Sequence, residues 1–269
     1  MSAVNHCGIR GNKGLRRPLN IGRNFSRVAH YYDDYCAVQN KSGTELIGRI
    51  TGDGYRRILD IGCGTGNFTK LLAERFDLAS ITAVDISPEM VGLAQEKLKD
   101  LRIEFVVGDA EVVDLSGQFD LISSNAALQW FGKIETVLAR CRALLEEGGM
   151  IAFSAFGPDT FKELGESIRR LYGDYATISA SGFADKVQIR RGLRTNFSQA
   201  DVEEVSYRED YPSLRALLES IRYTGTRGSG VTSGRIWTGR DMDELEKVYK
   251  DGFERIEATY QVYYCKGIA

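Results

Sequence analysis

Histidine is nearly absent: His6 and His30 are the two present in 269 residues, too few and too far apart to hold a metal ion or to complete a Ser-His-Asp grouping. The five cysteines, at positions 7, 36, 63, 141 and 265, form no CxxC pair and no zinc spacing. That pattern excludes a metal ribbon and predicts reduced thiols in a cytoplasmic protein. No apolar run approaches membrane-spanning length, and the first residues lack the apolar core of a signal peptide. Charge is in excess of neither sign. The formal net charge of −2 gives no bulk attraction to nucleic acid or to an anionic membrane. Internal repeats and low-complexity blocks are also missing.

What is present suits one large α/β domain. Hydrophobic residues make up 43% of the chain, enough for a sizeable core. Residues 1–22 mix Gly8, Gly11, Gly14, Pro18 and Gly22 with basic residues and show little periodicity, so a disordered tail is expected there. A helical stripe begins at Phe25 and continues through Val28, Ala29 and Tyr32, and a second helix is expected from about Val38 to Ile50.

The most informative stretch is Ile58-Leu-Asp-Ile-Gly-Cys-Gly-Thr-Gly66. Its apolar start reads as a strand buried on both faces of a parallel sheet. Gly62, Gly64 and Gly66 permit positive φ and leave no Cβ between backbone and ligand. Asn67 to Arg75 then carries Phe68, Leu71 and Leu72 at helical spacing, so the loop delivers its ligand to a helix N-terminus. The third glycine follows the second by two residues and not three, unlike the dinucleotide fingerprint, so no pyrophosphate need be cradled. Cys63, between the glycines, reads as a small packing residue.

A second strand, Ser80 to Val84, ends at Asp85, close to the distance at which an acid after a glycine-rich turn meets a ribose. Ser87 and Pro88 cap and start a helix to about Lys99. A third strand, Ile103 to Val107, leads into Gly108-Asp109-Ala110, where a carboxylate is placed to accept from an adenine amino group. A fourth, Phe119 to Ser123, ends at Ser124-Asn125. A helix from Lys133 to Leu145 and a Gly148-Gly149 turn precede a fifth strand, Met150 to Phe156. This alternation predicts a Rossmann-like, doubly wound sheet with ligands at the strand C-terminal ends.

Beyond Phe156 the order changes. A helix is expected from Pro158 or Asp159, then a polar and basic section to residue 200, a strand from Val202 to Tyr211, and a helix from Ser213 to Thr224. A flexible Gly/Ser segment from Thr226 to Gly234, a helix from Asp241 to Phe253 and a β-prone last strand from Ala258 to Cys265 complete the chain. That last strand is expected to be antiparallel to the rest.

Three segments, at 58–66, 83–90 (Ala-Val-Asp-Ile-Ser-Pro-Glu-Met) and 108–110, resemble the class I S-adenosylmethionine-dependent methyltransferases. Within that superfamily, Phe25-Ser-Arg-Val-Ala-His-Tyr-Tyr-Asp with Gln39, Ser124-Asn-Ala-Ala-Leu-Gln-Trp130 and Phe156-Gly-Pro-Asp-Thr-Phe-Lys-Glu-Leu164 resemble the malonyl-acyl-carrier-protein O-methyltransferases of biotin synthesis. The likeness spans about residues 24–267. It implies a seven-stranded sheet, with N-terminal helices at 23–50 and an inserted helical cap at 157–235. S-adenosylmethionine is the implied methyl donor, and malonyl-acyl carrier protein or malonyl-CoA the acceptor. Methyl transfer to another small carboxylate such as trans-aconitate is the alternative, and a non-catalytic binding module the farther one.

The resemblance distributes roles. Asp60, Gly62, Gly64, Gly66, Asp85, Ile86, Asp109 and Ala110 are expected to bind the cofactor. Asn125 is expected near its methionine end and the acceptor. Tyr32, Asn125 and Gln129 are the catalytic candidates, with the Tyr32 hydroxyl orienting the acceptor carboxylate. Trp130 is expected to line the acceptor pocket, and Arg222 or Arg227 to recognise the substrate anion, since a guanidinium suits a carboxylate or phosphate. Lys186, Arg190, Arg191 and Arg194 are expected to face an acidic carrier protein. No metal is expected.

Overall fold

A computed structural model describes residues 16–115, 117–224 and 238–269, with Arg16 to Asn20 described by their backbone alone. Seven strands form one sheet in the order β3-β2-β1-β4-β5-β7-β6. They are β1 (Arg57–Ile61), β2 (Ser80–Asp85), β3 (Ile103–Val107), β4 (Phe119–Asn125), β5 (Leu145–Phe156), β6 (Gln199–Asp210) and β7 (Glu257–Ile268). The pairs from β3 across to β5 are parallel, and β7 lies antiparallel between β5 and β6. The order reverses between β1 and β4, which opens a crevice at their C-terminal ends. Ser124 closes the seam below it, its Oγ donating to the Ile61 carbonyl at 2.7 Å.

Alternation along the strands sends side chains into two cores. Ile58, Ile81 and Leu121 face one core, packed by α2 (Ala37–Arg49), α3 (Asn67–Arg75), α6 (Lys162–Tyr172), α8 (Leu214–Tyr223) and α9 (Gly239–Phe253). Leu59, Ile61 and Ile122 face the other, packed by α5 (Ile134–Leu144) and α7 (Lys186–Asn196). The helix α4 (Pro88–Lys97) covers Ala83 through Val91 and starts at the Ser87 cap, whose Oγ accepts from the Met90 amide. Among the described residues no helix is long and apolar enough to cross a membrane.

Three expectations are corrected. The helix α1 spans Arg16–Tyr35, so residues 16–22 belong to it and not to a disordered tail; residues 1–15 lie outside the described residues. Pro18 falls in its first turns, where proline is tolerated. Gly22 is a packing position: a Cβ there would already touch the Ile86 carbonyl at 3.4 Å. The helix after β5 starts at Lys162 and not at Pro158 or Asp159. The intervening amides are taken by β7, with Gly157 donating to the Gln261 carbonyl and Phe161 to that of Thr259, at 2.9 and 2.7 Å. The described part of the expected cap, residues 157–224, does not form one unit. The helices α6 and α7 pack against the sheet and β6 is its edge strand. Within this stretch it is α8 that packs on α1 and brings Thr224 to the crevice. The expected flexible segment at 226–234 lies outside the described residues.

Candidate active site

A cleft sits at the β1–β4 reversal, lined from α1, α2, β2, β4, β5 and the turns after β1 and β3. The glycine loop forms its floor, and its three glycines serve three different purposes. Gly62 (φ 75°) passes so close to the turn after β4 that a Cβ would lie 2.3 Å from Ala127 Cβ. At Gly64 (φ 54°) a Cβ would find nothing within 4 Å, and the residue faces the cleft, so a ligand meets bare backbone there. Gly66 (φ 86°) is not in the lining: it caps α3 and packs against α4, where a Cβ would come 2.9 Å from Leu98 Cδ1. The expected cofactor contact at Gly66 is therefore corrected to a helix-packing one.

Asp85 is fixed by the loop that it faces. Its Oδ2 accepts from the Gly64 amide at 2.9 Å and its Oδ1 from the Ser87 amide at 2.8 Å. Burial raises its pKa, and the amides of Ser87, Gly64 and Ile86 oppose that shift without cancelling it. Ile86, Asp109 and Ala110 line the same end of the cleft, and Asp109 Oδ1 accepts from the Glu111 amide at 2.9 Å. Asp60, by contrast, is fully buried on the other face of β1 and does not reach the cleft. Its Oδ2 accepts from Thr69 Oγ1 of α3 at 2.7 Å, while Oδ1 has no partner. Burial pushes its pKa up to about 7, offset in part by Thr69 and reinforced by Asp85. Its expected cofactor role is thus corrected: successive strand residues alternate faces, and Asp60 points beneath α3. Burial also pushes the Cys63 thiol well up, with Asp85 and Asp60 adding to it, which keeps it protonated.

The opposite end of the cleft is aromatic. Phe25 and Phe183 meet the Trp130 ring edge-on, with centroids 6.0 and 5.2 Å away, and Trp130, Phe131 and Phe156 line the wall. Tyr32 also lines it, and its hydroxyl makes no hydrogen bond among the described residues. Burial raises its pKa far above the ordinary range, with Cys36, Asp85 and Asp33 adding to this, so Tyr32 is a neutral donor. The same turn of α1 is anchored by Asp33, which accepts from Thr65, Asn67 and Lys97 at 2.6, 3.1 and 2.7 Å. Its neighbour Tyr31 faces outward and packs on Tyr223.

Two catalytic candidates turn out to hold the frame. Asn125 lines the cleft, but its Nδ2 donates to the Gln39 carbonyl at 2.9 Å and its Oδ1 accepts from Ser154 Oγ at 2.7 Å. Gln129 donates to the Ala126 carbonyl at 2.7 Å and accepts from the Phe156 amide at 3.4 Å. That brace holds Ala126 at φ 51°, a left-handed conformation rare for alanine. Both side chains thus line the cleft and brace its wall. Arg222 lies over the Tyr223 ring and does not line the cleft; Arg227 lies outside the described residues.

The charged groups lining the cleft among the described residues are Asp85, Asp109 and Glu111, with no lysine or arginine. Such a site favours a cationic ligand. Together with the bare backbone at Gly64 and the half-buried acceptor at Asp85, it fits the nucleoside and sulfonium of S-adenosylmethionine. Among the described residues no cluster of His, Cys, Asp or Glu is placed to hold a metal ion. Sequence reasoning missed Gln39, Glu111, Phe156 and Thr224 as lining residues. Gln39 had two signals: its place in the N-terminal segment that carries the family resemblance, and a polar side chain on the buried stripe of α2 between Val38 and Leu46.

A family model described as a methyltransferase domain matches residues 58–149. A protein of Ilyobacter polytropus named malonyl-[acyl-carrier protein] O-methyltransferase 1 is 34% identical over 235 residues, 87% of each chain. A protein of Geobacter sulfurreducens named malonyl-[acyl-carrier protein] O-methyltransferase is 32% identical over 258 residues, 90% of this chain and 96% of its own. Among solved structures, the Bacillus subtilis YcgJ protein superposes with a TM-score of 0.60 at 15% identity, covering 85% of this chain and 97% of that one. Haemonchus contortus phosphoethanolamine N-methyltransferase 2, in complex with S-adenosyl-L-methionine, superposes with a TM-score of 0.58 at 19% identity, covering 96% of this chain and 60% of that one. These structural likenesses concern the fold.

Proposed function

The chain belongs to the malonyl-[acyl-carrier protein] O-methyltransferase family, and on that premise we infer that it methylates the free carboxylate of a malonyl thioester, an early step of biotin synthesis. The observation that carries this is the extent of the likeness. At 87–90% of the chain it reaches well beyond the donor-binding residues 58–149 and so takes in elements of the acceptor side.

The residues that would hold the donor are Gly62 and Gly64 by their backbone, Asp85 at the ribose hydroxyls, and Ile86, Asp109 and Ala110 around the adenine. When bound, S-adenosylmethionine supplies a methyl group on a cationic sulfur; the carboxylate oxygen forms the new C–O bond while the C–S electron pair stays on sulfur. No proton moves. A carboxyl group of ordinary pKa, about 4, is already ionised at neutral pH, so the chain need supply no general base. The reaction consumes one positive and one negative charge, and the aromatic wall of Phe25, Trp130, Phe131 and Phe156 offers the dry surroundings in which that neutralisation is favoured. The remaining task is alignment, which the Asn125 and Gln129 braces serve by fixing the wall.

The carrier-bound thioester is proposed as the acceptor over the coenzyme A thioester because an outer face of α7 offers cations. Arg190 and Arg194 are exposed and unpaired among the described residues, while Lys186 and Arg191 are engaged by Glu204 and Glu135. Complementation of a biotin-requiring strain that lacks this methylation tests the reading: growth without biotin is expected, and failure of the expressed protein to restore it contradicts the reading.

A further inference from the structure

The polar groups of the cleft can be sorted by what they already hold. Asp85, Asp109 and Glu111 repel an anion. Asn125 and Gln129 are spent on the frame, and the Thr224 hydroxyl donates to the Ser220 carbonyl at 2.8 Å. Three lining donors are left, the Tyr32 hydroxyl from α1, the Gln39 amide from α2 and the Trp130 indole N–H, none with a hydrogen-bond partner among the described residues, and the Trp130 ring is held in the aromatic wall by Phe25 and Phe183. Gln39 is only 7% exposed. Its amide is not among the polar atoms closed off from solvent without a partner, so it is open to the cleft that it lines and available to a ligand there. Its backbone is fixed separately, through the bond from Asn125 Nδ2 to its carbonyl.

We propose that Gln39 is a substrate-binding residue whose side-chain NH₂, with the Tyr32 hydroxyl, holds the acceptor carboxylate, so that the anion is recognised by neutral donors. The inference rests on the carboxylate reading of the site. The chemistry favours neutral donors. A guanidinium would stabilise the ionised acceptor but not the uncharged ester, and so would deepen the ground state more than the transition state. Two dipolar donors orient the attacking oxygen and leave its charge for the sulfonium. The arrangement also discriminates: an acyl thioester without the second carboxylate leaves the Gln39 amide unpaired.

The test compares Gln39→Leu and Gln39→Glu with the unsubstituted protein. Calorimetry measures binding of a stable malonyl-pantetheine thioether and its acetyl counterpart to protein saturated with S-adenosylhomocysteine, alongside kcat and KM for malonyl-pantetheine. Loss of a hydrogen bond to a charged group predicts about a tenfold to hundredfold weaker malonyl binding in Gln39→Leu, and a rise in KM of the same order. Gln39→Glu should lose more, because it adds a like charge. In Gln39→Leu, acetyl binding and S-adenosylmethionine affinity should stay within about twofold, since the Gln39 carbonyl still holds Asn125. Unchanged malonyl binding in both variants, or equal losses for malonyl and acetyl ligands, overturns the role of Gln39. If the unsubstituted protein fails to prefer malonyl over acetyl, the carboxylate reading itself falls, a result visible before any variant is made.

Discussion

The amide of Gly64 donates to the carboxylate of Asp85 across 2.9 Å, joining the turn after β1 to the end of β2. One contact thus sets both the shape of the loop and the direction of the acid that faces the ligand. Asp85→Ala should weaken S-adenosylmethionine binding by roughly 1.5–3 kcal/mol, the worth of a hydrogen bond to a charged group. Asp85→Asn, which keeps an acceptor for Gly64, should lose less. Titration calorimetry checks both, and equal affinities for all three proteins would remove Asp85 from the ribose.

The glycines should separate by mechanism. Gly64→Ala carries the left-handed backbone cost of about 1–2 kcal/mol and meets no neighbour. Gly62→Ala adds a collision with Ala127 Cβ, and Gly66→Ala one with Leu98 and Ala94. Thermal unfolding should therefore rank Gly64→Ala as the mildest for stability, while cofactor binding suffers directly at Gly64 and only through the displaced loop at Gly66.

Asp60 predicts an unusual pH dependence. Its pKa is raised from the ordinary carboxylate range to about 7, chiefly by burial. The folded state therefore holds a proton that the unfolded chain has lost. Its contribution to stability is fully present below the unfolded pKa of about 4 and is lost as pH rises through about 7. Asp60→Asn should accordingly raise the unfolding midpoint at pH 8 clearly more than at pH 5, where the loss has only begun, as read by urea unfolding at both values. A variant destabilised equally at both would show that the carboxyl serves a different purpose there.

Much of the donor side was legible because local rules govern it. β1, α3 and β2 lie within a residue of where the apolar run, the glycines and the spacing to Asp85 place them. What escaped depends on contacts remote in sequence. Gly22 reads as a helix breaker until Ile86 is seen against it, and Lys162 begins a helix late because β7 takes the preceding amides. A motif gives residue types and not faces, so Asp60 and Gly66 read as ligand contacts although one points beneath α3 and the other packs on α4. The rest of the cleft wall is assembled from α1, α2, β5 and the end of α8, and no single spacing in the chain expresses that meeting.

Carrier recognition is predicted to fall on α7. The double reversal Arg190→Glu with Arg194→Glu should raise the KM for malonyl carrier protein about tenfold or more while leaving malonyl-pantetheine unaffected, because these cations are exposed and stand outside the cleft. Arg191 is a weaker choice, being engaged by Glu135 at 2.5 Å. Parallel losses with both substrates would move the docking face elsewhere.

The most direct measurement is of the transfer itself. The protein is incubated with methyl-labelled S-adenosylmethionine and, side by side, malonyl carrier protein, malonyl-CoA and trans-aconitate, and the products are located by mass spectrometry. The account predicts label on the free carboxylate of the malonyl thioester as a methyl ester, with the carrier-bound form used best. Label on trans-aconitate with none on either malonyl thioester would contradict it.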